Sequence, residues 1–530
     1  MIQVAFGAAD ILFGSLIAGS LAGLAVLGHL RAIGNREDEN KTLRRRLSRA
    51  RSKLADAAEL QAIADKKDQM LREVREQLRE SRAMAHQLEA RASELFANNI
   101  SRDEMVMELL ASTDLEELTD DPHEYVRLVN TFTPEMMTRR TMERVTLAQL
   151  YDYIEENKLP LMLSFSAPSA IAGPVGNTMD RGVGYTPYGE HFLMQCGMEL
   201  VLANGDVLRT GMGGVKGDKA WQVFKWGYGP TLDGMFTQSN YGICTKMGFW
   251  LMPKPPVFKP FEIKFDNEAD INEIVEMLRP LRIANIIPNA VVIAGTLWEA
   301  ATCGVRRSDY ITEPGATPDS VLAQIRKDKH LGAWNVYCAL YGSPEQVEVN
   351  WKIVTETIKR AGKGRIVTQE EAGDTQPFKY RAQLMSGVPN LQEFGLYNWR
   401  GGGGSMWFAP VSQARGSECD KQYALAKKIL NKHGLDYVGE FIVGWRDMHH
   451  VIDVLYDRSS EEETQRANAC FNELLDEFEK EGYAVYRVNT AFQERVAQSY
   501  GPVKRSVERK IKRALDPNGI LSPGKSGINI

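Results

Sequence analysis

The densest chemistry-bearing stretch is Gly176–Gly211, GNTMDRGVGYTPYGEHFLMQCGMELVLANGDVLRTG, whose first half sets Gly176, Gly182, Gly184 and Gly189 within fourteen positions. Glycine lets backbone amides approach a ligand phosphate or ring closely. The pattern is neither a Walker loop nor GxGxxG after a strand, and by spacing alone a set of turns explains it equally well. A second candidate is Arg446-Asp447-Met448-His449-His450. Paired histidines invite a metal, but no carboxylate-and-histidine spacing of a known site surrounds them, so no metal is expected. An acid–base role for His449 with Asp453, one turn apart on a helix, is the preferred reading. The six cysteines, Cys196, Cys244, Cys303, Cys338, Cys419 and Cys470, form no CxxC pair and no CxxCH signature. That argues against a disulfide scaffold, a zinc ribbon and a haem bound covalently to this chain.

The elements that must position these groups begin near Val145, where glycine, proline and aromatic residues rise and short apolar strands alternate with helices. An α+β region is expected from there on. Within it Asn204-Gly205 reads as a hairpin turn between Met198–Leu202 and Asp206–Arg209. The chain before Val145 reads differently. Ile11–Gly28 is uncharged and, with its apolar flanks, reaches the roughly 20 residues needed to cross a bilayer, which predicts a transmembrane anchor over residues 1–36. Asp10 is the only side-chain charge upstream, unlike the basic start of a secretory signal. The basic residues Arg31, Arg36, Lys41, Arg44, Arg45, Arg46, Arg49, Arg51 and Lys53 then place the body in the cytoplasm. Leu71, Val74, Leu78, Ser81, Ala85, Leu88, Ala92 and Leu95 alternate steps of three and four, a coiled-coil seam that predicts a stalk over 37–100. Asp121-Pro122 and Thr133-Pro134 mark 101–144 as a linker. With 64 basic and 69 acidic residues in 530, a net charge of −5, and 43% hydrophobic residues, the chain as a whole is neither a disordered polyion nor a nucleic-acid binder.

The glycine-rich run, together with SNYGICTKMGFWLMP at Ser239–Pro253 and DPNGILSPGKSG at Asp516–Gly527, resembles the vanillyl-alcohol oxidase/para-cresol methylhydroxylase family of flavoproteins. The resemblance covers about residues 145–530. It implies a partial FAD-binding domain at 145–258, an antiparallel-sheet cap carrying the substrate pocket at 259–500, and a segment at 501–530 that returns to the flavin domain. Tyr397, in Gly395-Leu396-Tyr397-Asn398-Trp399, matches the family region where a tyrosine bonds covalently to the flavin. Ser405 stands where oxidase relatives carry a flavin-linking histidine, which favours a dehydrogenase. Tyr486 and Arg487 match the pair that binds the substrate as its phenolate. A guanidinium and a tyrosine hydroxyl in a dry pocket stabilise an anion whose parent phenol has a pKa near 10. Adjacent strand residues face opposite sides, so both reach one ligand only where the backbone is irregular.

Glu393, Glu440, His449 and Asp453 match polar positions around the family's active site. Gly176, Asn177, Thr178, Tyr185, Gly242, Ile243 and Lys525 match positions near the cofactor. The implied reaction is FAD-dependent dehydrogenation of a 4-alkylphenol through a quinone methide, with water addition and electrons passed to a separate c-type cytochrome. The relatives imply a homodimer and a periplasmic setting, against the cytoplasmic reading of the basic flank. The family's glycine-rich diphosphate loop and a third phenol-binding tyrosine precede the segment matching Val145, and neither is recognisable in residues 1–144. The rival readings are therefore an inactive anchored protein with a truncated flavoenzyme, and an oxidase that uses oxygen.

Overall fold

Thr146 opens the first described helix, Leu147–Glu156, with a reciprocal cap: its hydroxyl accepts from the Gln149 N–H at 3.1 Å, and the Gln149 side chain accepts from the Thr146 N–H at 2.7 Å. Two otherwise orphaned donors are satisfied in this way. The computed structural model describes residues 145–165 and 170–530, which belong to one compact unit, Asp120–Ile530. After β1 (Leu161–Met162) come β2 (Gln195–Val201), β3 (Val207–Arg209) and β4 (Ile243–Phe249), an antiparallel sheet with β2 in the middle and buried along its whole length. The turn between β2 and β3 is the expected one. Gly205 adopts φ 88°, open to glycine at no steric cost, and the Asp206 N–H donates to the Asn204 side chain at 3.1 Å. β5 (Met252–Pro253) pairs back with β1.

The second sheet is built from β6 (Val257–Phe265), β7 (Val291–Gly295), β8 (Trp334–Gly342), β9 (Arg365–Thr368), β10 (Gly404–Phe408), β11 (Pro410–Gln413), β12 (Gly439–Val443), β13 (Asp447–Tyr456) and β14 (Ala484–Val485). Its order is β14-β11-β13-β12-β7-β8-β6-β9, with β10 also paired to β13. Among the described residues its strand pairings are antiparallel. Side chains of directly opposed residues share a face, and alternate residues switch faces. One face therefore carries Ile293, Val336, Phe441, Val443 and Met448, packed under the helix Ile271–Ile283. The other carries Val292, Ala294, Tyr337 and Val451, covered by the helices Thr296–Thr302 and Phe378–Met385. Across this second face runs a polar row that the register fixes: Glu262 opposite Tyr337, Tyr337 opposite Val292, Ala294 opposite Glu440, Glu440 opposite Val451, and Asp453 opposite Trp407.

The last helix, Pro502–Leu515, ties the carboxy terminus to the small sheet. Lys512 donates to Asp516 Oδ2 at 2.7 Å, the Asn240 carbonyl at 2.7 Å and the Leu521 carbonyl at 2.8 Å. The Asn240 amide in turn donates to the carbonyls of Ser522 and Ile528. Lys512 and Asp516 are almost fully excluded from water. Removing one partner of such a pair strands the other charge, so Lys512→Met should lower the unfolding free energy by about 3–5 kcal/mol. Urea denaturation measures this, and a loss under ~1 kcal/mol would mean the pair behaves as a surface one.

The membrane architecture expected from the sequence needs correction. Among the described residues no helix is long and apolar enough to cross a membrane. The stretch on which the anchor, stalk and linker were placed, 1–144, lies outside the described residues. The described fold is α+β without either, and the membrane partner and the membrane-based localisation are withdrawn with the anchor.

Candidate active site

Tyr486 and Arg487 follow immediately after β14, where the extended backbone ends. The two residues therefore lie off the regular strand, which meets the condition for adjacent side chains to reach one ligand. The Arg487 guanidinium carbon lies 5.2 Å from the Tyr486 ring centre, and the Tyr486 ring lies 4.6 Å from that of His449. The Gln238 side chain holds the Tyr486 carbonyl at 2.8 Å. Burial raises the Tyr486 hydroxyl above its ordinary pKa, with Arg487 opposing, so it is a neutral donor at neutral pH. Tyr486 and His449 line a cavity of about 350 Å³, together with Gly182, Glu190, Met194, Trp445 and Asp447. That volume lies in the range of small-molecule sites.

The expected pairing of His449 with Asp453 does not occur. Both stand on β13, not on a helix, so four residues separate them by about 13 Å along the strand. The run from Met448 to Tyr456 is largely apolar and β-branched, and it forms a central strand because both its faces are covered. His449 instead pairs with Asp447, Nε2 to Oδ2 at 3.1 Å, and this hydrogen bond holds the Asp447 carboxyl below its usual range. His450 points to the other face, where its ring stacks on Phe441 at 3.9 Å and its Nε2 meets the Tyr437 hydroxyl at 2.8 Å. The adjacent histidines therefore cannot share an ion. Among the described residues no group of three His, Cys, Asp or Glu side chains could hold a metal.

Asp453 accepts from the Ser405 hydroxyl at 2.6 Å, and burial pushes its carboxyl up to about 7 against that hydrogen bond. Tyr397 lies on the 3₁₀ segment Gln392–Asn398, with its ring 5.5 Å from Phe394. Burial raises its hydroxyl, as do Asp453 and Glu393, while a hydrogen bond to Trp407 opposes them. Trp407 packs edge-on to Trp298 at 5.8 Å. Glu393, on the same segment, is 2% exposed with neither carboxylate oxygen hydrogen-bonded. Glu440 accepts from Arg381 at 2.8 Å, and Arg381 also reaches the Tyr185 hydroxyl at 3.4 Å. Tyr185 thus belongs with the buried carboxylates on the large sheet.

The other cofactor candidates are placed elsewhere. Gly176, Asn177 and Thr178 form the short helix Pro174–Met179. Asn177 meets His191 Nδ1 at 2.5 Å, and the Thr178 hydroxyl is buried without a partner. Gly242 precedes β4, and a Cβ there would meet Phe236 and Leu202, so Gly242 and Ile243 sit against apolar neighbours in the small sheet. Lys525 pairs with Asp180 at 3.2 Å. The clustered glycines serve the chain itself. A Cβ on Gly182 would strike the Asn177 side chain, one on Gly184 would strike Ser164 and His191, and one on Gly189 would strike the Gly184 carbonyl.

Sequence reasoning missed Arg381, Glu299, Tyr380, Glu262 and Glu190. Arg381 and Glu299 are fully buried partners at 2.7 Å, and Tyr380 donates to Glu299 at 3.1 Å. Burial pushes the Glu262 carboxyl up to about 7. The available signal was Glu299, the single charge in the otherwise uncharged helix TLWEAAT; Arg381, beside Lys379 in FKYRAQLM, carried no such mark.

Residues 329–526 match the family model for the C-terminal domain of FAD-linked oxidases. The chain is 77% identical over 397 residues to the flavoprotein subunit of 4-cresol dehydrogenase (hydroxylating) from Pseudomonas putida, covering 75% of this chain and 76% of that one. It is 28% identical over 425 residues to the 1'-carboxy-chondrochloren decarboxylase of Chondromyces crocatus, covering 72% and 76%. Among solved structures, substrate-bound p-cresol methylhydroxylase superposes with a TM-score of 0.72 at 79% identity, over 73% of this chain and 75% of that one. The 4-ethylphenol oxidase of Gulosibacter chungangensis, in its isoeugenol complex, superposes with a TM-score of 0.70 at 37% identity and the same coverage. With 77% identity over three quarters of its length, the chain belongs to the 4-cresol dehydrogenase/p-cresol methylhydroxylase family of FAD-linked oxidoreductases acting on CH or CH2 groups.

Proposed function

We propose that this protein is an FAD-dependent 4-alkylphenol dehydrogenase of the para-cresol type that hydroxylates the benzylic carbon. The observation that carries the reading is Tyr486 beside His449 on the cavity lining, with the Arg487 guanidinium over the Tyr486 ring, an arrangement that suits a phenolate. Arg487 supplies the charge and Tyr486 a neutral hydroxyl donor, so a bound phenol loses its proton far below its solution pKa near 10. The electron-rich ring then makes the benzylic hydrogen hydridic. FAD, when bound, supplies the hydride acceptor. The quinone methide left behind adds water at the benzylic carbon, and a base must take the water's proton. Glu440 is the proposed base, with His449, held by Asp447 at the cavity, as its partner in moving the proton.

The buried groups fit a flavin ring at Tyr397. The unpartnered oxygens of Glu393 and Asp453, both of which act electrostatically on the Tyr397 hydroxyl, are buried polar atoms that the polar edge of a bound ring system would satisfy. Tyr397 is the proposed covalent tether to the flavin. The glycine segment offers no diphosphate cradle, since its glycines are filled by the chain's own contacts. No step assigned to the residues above depends on one. A separate c-type cytochrome is the proposed electron acceptor. A homodimer and the two-part division at residues 145–258, 259–500 and 501–530 complete the proposal.

The test is turnover of para-cresol by flavin-loaded protein with an artificial electron acceptor, read as 4-hydroxybenzyl alcohol and aldehyde. Product carrying oxygen from labelled water supports the reading. Flavin-loaded protein that is not reduced by para-cresol or by 4-ethylphenol would sink it, and peroxide release at the turnover rate would assign an oxidase instead.

A further inference from the structure

The polar row on the large sheet holds more carboxylates than it can neutralise. Arg381 donates through Nε and Nη2 to Glu299 Oε1, at 3.2 and 2.7 Å, and through Nη2 to Glu440 Oε2 at 2.8 Å. Its ring neighbours Tyr185, Tyr337 and Tyr380 lie 5.7, 5.2 and 4.9 Å away, which closes the guanidinium off from water. Two carboxylates against one guanidinium already leave an excess negative charge. Glu393, from the segment that packs on the Glu299 helix, is fully buried and bonds to none of these groups. Arg381 attracts it through space, while Glu440, Glu299 and Asp453 repel its charged form. Tyr185, Tyr397 and Tyr380 face it as neutral hydroxyls. Glu440 is faced by Arg381, Glu299, Glu393 and Tyr185, and from behind by Tyr437.

We infer that Arg381, itself oriented by Glu299, is a positioning residue that keeps Glu440 as a carboxylate and leaves Glu393 protonated, so that two glutamates in one dry site do opposite proton work. The inference rests on the proposed function only for the purpose of the two groups: Glu440 takes a proton from water, and Glu393 offers one as a hydrogen-bond donor. Burial raises both carboxyls. Arg381 opposes this at Glu440 by charge and by hydrogen bond, and at Glu393 by charge alone, so Glu393 is held well above the usual carboxylate range.

The readouts have opposite signs in two variants. Glu299→Gln gives Glu440 sole use of the guanidinium and removes a repelling charge, so the acid limb of the kcat/KM profile should move to lower pH. Arg381→Met removes the cation bonded to Glu440, so the same limb should move to higher pH, in each case by roughly one pH unit or more. A purely structural role would lower activity without moving the limbs apart. Independently of turnover, the infrared difference spectrum between the parent and Glu393→Gln at neutral pH should contain a protonated-carboxyl stretch, while that between the parent and Glu440→Gln should contain carboxylate bands. If Arg381→Met does not fold, Glu299→Gln and the infrared pair decide. Limbs that stay put or move together, or a carboxylate signature for Glu393, would overturn the inference. Because the infrared arms need no substrate, they still answer if the protein proves inactive on phenols.

Discussion

Arg487→Ala should lower kcat/KM for a 4-alkylphenol by about 10²–10³-fold with the flavin still bound, the loss typical of removing one preorganised charge donor from a developing anion. The sign of the pH dependence makes the test sharper. In the parent the Arg487 charge and the Tyr486 hydroxyl ionise the bound phenol, so the rate does not wait for ionisation in solution. Without the guanidinium, productive binding needs phenolate formed in water, and the residual rate should climb with pH toward the phenol pKa near 10. Arg487→Lys keeps a charge but not the planar fork and should fall between the two. Steady-state kinetics across pH measures all three. If Arg487→Ala keeps more than a tenth of parental kcat/KM and the parental pH profile, the phenolate assignment is wrong.

Tyr397→Phe should convert a flavin that stays with acid-precipitated protein into one that leaves entirely with the supernatant. The change deletes one oxygen and keeps the ring that packs on Phe394, so unfolding stability should change little. The structure motivates the choice of this tyrosine because its hydroxyl lies near two carboxyls and Trp407, Asp453 being anchored in turn by Ser405. A hydroxyl in such surroundings keeps its proton until a base removes it. Visible spectra of pellet and supernatant decide the matter. Yellow absorbance leaving the unaltered protein on acid precipitation would remove the tether from the proposal.

Much of the site was legible in residue text because it sits in contiguous motifs. Glu393 and Tyr397 share one 3₁₀ segment, and Tyr486 and Arg487 are neighbours. The geometry that joins the motifs was not. His449 and Asp453 suggest one helical turn by spacing, but β13 is a central strand whose neighbours β12, β11 and β10 were decided by long-range pairing. That pairing sends His449 to Asp447 and Asp453 to Ser405. The glycine cluster looked like a ligand cradle because glycine reports close approach without naming the partner. The partner turned out to be Asn177, Ser164, His191 and the loop's own carbonyls.

The sequence by itself determined the family, the α+β character after Val145 and the hairpin at Asn204-Gly205, and it nominated the tyrosines, carboxylates and arginine on which the proposed chemistry rests. It did not determine the anchor it appeared to announce, since apolar length alone cannot establish a span that no described helix supports. Only the tertiary structure found Arg381 and Glu299. A buried charge has no periodicity or motif, and its role depends on which opposite charges the sheet register and two covering helices bring within 3 Å in the absence of water.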